Sequence, residues 1–370
     1  MRPETEAELA GMIRDAGGPL IIRGGGTRPI GRAGPGEVLE TGAITGISLY
    51  EPGALTLVAR AGTPVAEIEA ALDAEGQRLP FEPMDHRGLL GTQGAPTLGG
   101  LAAGNVSGPR RIQAGACRDH MLGVRVVDGT GTVLRNGGRV MKNVTGYDLV
   151  KLMAGSRGTL GVLTEVALKV LPKPEAVATL ILEGLSAEAA VAAMSRALGA
   201  PYDVSGAAHM PGGPDGGPAT LLRVEGFADS VSYRAGQLQS LFKTQAGRIE
   251  ADAGRNAALW RGVRDVAPFH GREGDVWRIS CKPSDGPELA ARLEAEALLF
   301  DWGGGLIWAL LPSGTDAHAR LGAFKGHATA VRGGGEAPAF QPEPAPVAAL
   351  AAGLRARFDP RGILNPGLMA

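Results

Sequence analysis

The sequence predicts an α+β protein with mixed strands, built as two units. Two patterns point there. Short apolar runs up to about residue 173 alternate with glycine-rich loops. Beyond Lys173-Pro174 the rhythm becomes repeated strand, helix, strand, strand, helix units, as in a ferredoxin-like fold. At 370 residues the chain is long enough for two domains and a sizeable core.

The first element is the apolar run Leu20-Ile21-Ile22, followed by RGGGTRPIG over 23–31. Glycine has no Cβ and tolerates positive φ, so this backbone can turn tightly and converge N–H groups on an anion. Arg23 and Arg28 flank the turn with positive charge. The run is neither the G-x-G-x-x-G of a dinucleotide fold nor a phosphate loop with Gly-Lys-Ser/Thr. A plain turn between strands is the competing reading. A second loop, GTQGAPTLGGLAAGNVSGPRR, spans 91–111, and a third, GSRGTLGVLT, spans 155–164. Three such loops, each beside a β-like run, suit one extended ligand such as a dinucleotide.

The other elements follow from local signals. Leu55–Arg60 alternates as a strand. Thr63 then caps a helix with Pro64 in its first turn, Val65, Ile68 and Leu72 on its apolar face, and Gly76 at its end. Leu122, Val124 and Val126 share one face of a strand, and Asp128–Gly131 forms a hairpin turn into Thr132–Leu134. Val166, Leu168 and Val170 oppose Glu165, Ala167 and Lys169 on another strand. In the second unit, strand 177–183 leads to helix 187–198, capped by Ser186. Strands at 203–209 and 219–226, helix 229–242, strand 275–281, helix 286–300 and strand 304–311 follow. Segments 211–218 and 333–346 are Gly/Pro-rich loops.

Composition narrows the function classes. The net charge is −1 and basic residues are scattered, which gives no electrostatic footprint for nucleic acid. The N-terminal stretch is polar, without the apolar core of a signal peptide, and no run is long enough to cross a membrane. Cys117 and Cys281 are too few for an iron–sulfur cluster and read as small core residues.

The order RGGGT, PTLGGLAAGN, VMKNVTGYDLVKLMAGSRGTLGVLTEVALKVLP and a C-terminal FDPRGILNPG resembles the FAD-linked oxidases of the vanillyl-alcohol-oxidase type. The narrower stretches SGPRR and KNVTGYD resemble the smaller flavin-binding subunits of bacterial glycolate oxidases. The resemblance implies a PCMH-type FAD-binding domain of two α/β subdomains at 1–173, a ferredoxin-like cap at 174–345, and a segment at 346–370 returning to the first domain. It implies FAD held without a covalent bond, because Thr27 follows the glycine run where covalent relatives have histidine. It also implies a larger flavin subunit and an iron–sulfur subunit as partners, and a small 2-hydroxy acid as the substrate of the complex. The expected location is the cytoplasm, with any contact to the inner membrane made through those partners.

Site residues follow from the same resemblance. Gly24, Gly25, Gly26, Thr27 and Arg28 would cradle the pyrophosphate. Thr97, Leu98, Gly99, Gly100, Gly104, Asn105, Ser107 and Gly108 would lie against pyrophosphate and isoalloxazine. Gly158, Thr159, Gly161 and Val162 would meet the adenine side. Asn365 would reach toward the flavin ring or simply end a helix. Glu82 and Pro83 would line the channel, and Lys142 and Tyr147 would approach the flavin or buttress the second loop. The histidine-rich metal motif of relatives that oxidise 2-hydroxy acids is missing, so no metal ligands are expected. The weak candidates for a catalytic role are His270, His327 and Arg278, the last a carboxylate clamp or an outward-facing strand residue. The main substrate site is therefore expected on the larger flavin subunit, with this chain assisting or relaying electrons. The alternative is an assembly subunit, with Trp302, Leu306, Ile307 and Trp308 as a partner face or as core.

Overall fold

The computed structural model describes residues 1–139, 146–213 and 216–369. A five-stranded antiparallel sheet runs Ile47–Glu51, Thr56–Arg60, Val162–Lys169, Met121–Val127 and Val133–Gly137 in spatial order. Its middle strand explains why it is central: Val166, Leu168 and the following Val170 are fully buried, and Ala167 on the other face is buried as well. The last hairpin forms because Asp128 Oδ1 accepts the N–H groups of Thr130 and Thr132 at 2.8 and 3.0 Å.

Beside this sheet lies a parallel pair, Leu20–Arg23 with Glu37–Glu40. Leu20 and Leu39 share a small core with Leu9 and Ile13 of helix Glu6–Asp15 and with Leu364 near the C-terminus. Leu20 bridges Leu364, and Leu20 N–H donates to the Ile363 carbonyl at 2.7 Å. Arg361 adds a tie, donating to the Gly129 carbonyl at 2.9 Å and to the Arg14 carbonyl at 3.1 Å.

The remaining strands form an eight-stranded antiparallel cap sheet containing two βαββαβ halves. The first holds strands Ala176–Glu183, Val204–Met210, Ala219–Gly226 and Gly247–Glu250. The second holds Asp275–Cys281, Ala297–Asp301, Leu306–Leu311 and Gly326–Arg332. Each half has the spatial order fourth, first, third, second, so the ferredoxin-like expectation holds twice over. The halves meet through their second strands at the pair His209–Phe300. One face of the sheet packs Trp277, Ile279, Phe300 and Ile307 under helices such as Ala187–Leu198 and Ala228–Leu241. The other face puts Ile181, Leu221, Val276, Trp308 and Leu310 into the same core as Leu57, Phe81 and Leu168.

Four expectations are corrected. Helix 286–300 is instead helix Gly286–Leu293 followed by strand Ala297–Asp301, because Glu294 turns into the left-handed region at φ +48 and stops the helix. The strand expected from 304 starts at Leu306, after a short turn at Trp302–Gly304. Thr63 does not cap the helix after it. Pro64 is the N-cap of Val65–Ala74, while Thr63 Oγ1 accepts the Gly46 N–H at 2.9 Å. Leu306, Ile307 and Trp308 are core, at 3%, 0% and 4% exposure, which removes them as a partner face.

Candidate functional site

The three glycine loops converge on one cavity of about 580 Å³. Its walls include Gly24–Gly26, Thr27 and Arg28 from the first loop, Thr97, Gly99, Gly100 and Gly104 from the second, and Gly158, Gly161 and Val162 from the third. Asn365 and Pro83 line it too. The size lies within the range of cofactor pockets.

The first two loops touch backbone to backbone. A Cβ on Gly25 would sit 1.7 Å from the Ala95 carbonyl oxygen, and one on Gly24 would sit 2.7 Å from Thr97 Oγ1. Glycine is thus required at Gly25 by proximity. Of the three glycines only Gly26, at φ +69, needs the left-handed conformation. Thr97 opens the short helix Leu98–Ala103, with its hydroxyl accepting the Gly100 N–H at 3.3 Å. Arg28 reaches across and donates to the Gly100 carbonyl.

The C-terminal segment locks the first loop to the third. Asn365 Oδ1 accepts the Ile22 N–H at 2.8 Å, and its Nδ2 donates to the Arg157 carbonyl at 2.8 Å. Both ends of the amide are committed to backbone, so Asn365 acts at the cavity wall as a staple between loops. Arg157 itself has φ +52 and lies over the Phe340 ring at 4.7 Å. Burial pushes Arg28 and Arg157 down to about 10, and for Arg28 the neighbouring Arg157 adds to the shift.

Other expected residues stand behind the wall. Leu98 is core. Asn105 Oδ1 accepts the Arg118 N–H at 3.0 Å, and Ser107 Oγ accepts the Cys117 N–H at 2.9 Å, so both brace the second loop. Gly108 lies where a Cβ would meet the Glu82 carbonyl oxygen at 2.2 Å. Thr159 is buried, with its hydroxyl donating to the Ser156 carbonyl at 2.7 Å. Lys142 lies outside the described residues. Tyr147 is 89% exposed, and its carbonyl accepts from Asn136 at 3.1 Å, away from the cavity lining.

The catalytic candidates separate. His270 fills the space over Gly88, where a Cβ would lie 2.3 Å from its ring, and its Nε2 is 2.7 Å from the Asp265 carbonyl oxygen. Those contacts hold the ring in place as a packing element. Arg278 and His327 lie on neighbouring strands, with Arg278 opposite Thr329 and Ser280 opposite His327. Strand alternation puts both on the face shared with Val276 and Val331, toward the glycine loops. Burial pushes Arg278 down to about 10, with Arg111 and Arg157 adding to the shift. His86, not anticipated from sequence, is buried. Burial and then Arg28 hold its imidazole well below its usual range.

The comparisons with known proteins agree with this geometry. Residues 1–137 match the family described as FAD binding domain. The chain is 38% identical over 354 residues, 95% of its length and 92% of the relative, to the glycolate oxidase subunit GlcE of Escherichia coli K12. The chain belongs to the GlcE family. It is an FAD-binding member of the FAD-linked oxidases. It is also 34% identical over 166 residues to the glycolate oxidase subunit GlcD of Bacillus subtilis 168, covering 44% of this chain and 34% of that one. Among solved structures an alkyldihydroxyacetonephosphate synthase shares the fold, with a TM-score of 0.72 over 99% of this chain and 76% of that one at 16% identity.

The stretch SGPRR has a clear role in this GlcE-family chain. Arg110 donates to Glu225 Oε2 at 2.7 Å, and Arg78 donates to Glu225 Oε1 at 2.8 Å. Arg223 grips Glu82 with two bonds of 2.8 Å. Glu82 was expected to line the channel. It is instead half of a bidentate pair that joins the second loop's surroundings to the cap sheet, and it also accepts the Arg110 N–H at 2.9 Å. Nothing in the spacing of Glu82, Arg223 and Glu225 marks them as partners, since 141 residues separate the first two.

Among the described residues no group of three His, Cys, Asp or Glu side chains is placed to hold a metal ion. No helix of the described residues is long and apolar enough to cross a membrane. Cys117 and Cys281 are unpaired. Burial raises both thiols, Cys281 to about 11, which disfavours thiolate chemistry.

Proposed function

We propose that this chain is an FAD-binding redox subunit of a glycolate oxidase assembly, working beside a larger flavin subunit and an iron–sulfur subunit. The observation that supports this best is the convergence of three glycine loops, Arg28 and Arg157 on one cavity. The residues suit the cofactor. Close-packed glycine backbone leaves N–H groups for a diphosphate, and the adjacent arginines supply positive charge. Thr27 stands where relatives with covalent flavin carry histidine, which supports a cofactor held by contacts alone.

When bound, FAD can accept two electrons and pass them on one at a time. The chain's own groups would hold the diphosphate on the backbone of Gly24–Thr27, with Gly99 and Gly100 lining the wall opposite. They keep the loops in register through Asn365 and Arg28. The histidine-rich metal motif that relatives oxidising 2-hydroxy acids carry is missing from this sequence. The principal oxidation of glycolate to glyoxylate therefore belongs to the larger flavin subunit, and this chain's flavin assists or relays electrons. The assembly is cytoplasmic and meets the membrane through its partners.

The test is reconstitution. The assembly is rebuilt with this chain carrying Gly25→Val, and its flavin content and glycolate turnover are measured. Loss of one flavin together with most turnover supports the relay. Full turnover with that flavin missing assigns the chain a scaffold role.

A further inference from the structure

Two arginines where the second glycine loop meets the cap sheet are left without anionic partners. Arg111, from SGPRR, lies 4.6 Å from the centroid of the Trp302 ring, and Arg278 lies 5.0 Å from it. Among the described residues neither guanidinium donates a hydrogen bond or forms an ion pair. Three neighbouring arginines between the loops and the cap sheet are paired with carboxylates: Arg78 and Arg110 with Glu225, and Arg223 with Glu82.

The surroundings supply no hidden counter-charge. The carboxylate nearest in effect to Arg278 is Asp301, whose Oδ1 is already taken by the Trp302 N–H at 2.7 Å. Burial pushes Asp301 up to about 7, so it is a weak anion at neutral pH. For Arg111 it is Asp119, which already accepts the Ala116 N–H at 2.9 Å. Like charges increase the imbalance, because Arg278 also feels Arg157, and His327 feels both Arg278 and Arg111. Trp302 is fixed as their platform by its Nε1 donating to the Gly108 carbonyl at 3.0 Å. Two guanidinium groups held around one ring, each only partly covered and short of acceptors, form a preorganised anion site.

We propose that Arg111 and Arg278, set around Trp302, bind the carboxylate of a small organic acid where the second glycine loop meets the cap sheet. The substrate class rests on the reading above. The site itself rests on these residues alone. A planar carboxylate offers two acceptors to each guanidinium fork, which chloride cannot do. His327 and Thr329 lie on the same face of the neighbouring strand, where a hydroxyl or oxo group next to the carboxylate would meet polar atoms.

The experiment is calorimetric titration of the full chain with oxalate and with glycolate at low ionic strength, run with flavin present and after its removal. The expected result is saturable binding in both forms, weakened tenfold or more by Arg278→Met and by Arg111→Met, and unchanged by Arg355→Met on the exposed last helix. Arg278→Lys, which keeps the charge but not the fork, should lie between wild type and Arg278→Met, and it serves if the methionine variant does not fold. Absence of saturable binding overturns the site. So does binding as tight as wild type in both methionine variants, or displacement of oxalate by equimolar chloride. Flavin release is read separately: a chain that binds oxalate but never holds flavin keeps this site and loses the cofactor reading.

Discussion

Asn365 and Ile22 are joined by a 2.8 Å hydrogen bond from the Ile22 N–H to the Asn365 side-chain oxygen, across 343 residues of sequence. The same amide donates to the Arg157 carbonyl, so one side chain near the C-terminus fixes two of the three loops that shape the cavity. Its position at φ +45 suits asparagine, which tolerates the left-handed region better than most residues.

Asn365→Ala should therefore loosen both loops. Two partly buried backbone groups lose their partners, at a cost on the order of 1 kcal/mol each. Urea unfolding should show that loss, and the flavin should dissociate at least tenfold more readily. Unchanged stability would mean that the Ile22 and Arg157 groups find other partners.

Gly25→Val should abolish flavin binding, and the geometry gives the reason. Any Cβ at this position meets the Ala95 carbonyl at 1.7 Å, so the first two loops must separate. Gly26→Ala should be milder, because its Cβ has open space and the strain comes only from φ +69, costing about 1 kcal/mol. Absorbance of the purified variants near 450 nm distinguishes the two. A Gly25→Val chain with normal flavin would show that the loop contact is dispensable.

Arg223→Met should be among the most damaging single changes in the interface. It leaves Glu82 without its bidentate partner and removes one of the arginines around the buried Glu225. Breaking a buried pair from one side costs about 3–5 kcal/mol. The thermal midpoint should fall by several degrees. A midpoint within one or two degrees of wild type would show that the ion pairs are not coupled to the fold.

His209 makes stability depend on pH. It is 1% exposed at the seam of the cap sheet, its Nδ1 lies 2.9 Å from Thr220 Oγ1, and burial pushes its imidazole down to about 4. A base whose folded value lies below its unfolded value stabilises the protein fully above the unfolded value, near 6.5. That contribution is lost as pH falls toward 4. The full loss is on the order of 3 kcal/mol. His209→Gln should flatten the stability profile between pH 6.5 and 4. An unaltered slope would place the titration elsewhere.

The sequence made much of this visible for local reasons. Glycine loops, alternating strands and the Ser186 cap depend on nearby residues, and the helix it begins spans Ala187–Leu198. The helix expected over 286–300 failed because Glu294 takes a left-handed conformation without being glycine or asparagine, so the chain carried no stop signal. The repeated strand-helix-strand-strand-helix rhythm was legible, but the second unit was incomplete because strand Ala297–Asp301 was read as part of a helix. Glu82 was misread because its partner Arg223 lies on the cap sheet, and long-range ion pairs leave no periodic trace. Arg278 was noticed as a candidate, whereas its companion Arg111 became visible only once Trp302 was seen to hold both.

The central claim is that this chain itself holds FAD in the cavity formed by its three glycine loops. The most direct test is to purify the chain with and without its partner subunits, precipitate it with acid and identify the flavin released. The account predicts close to one FAD per chain in the supernatant and none in the pellet. A folded but colourless chain that stays colourless with its partners, or flavin that remains with the precipitated protein, would contradict it.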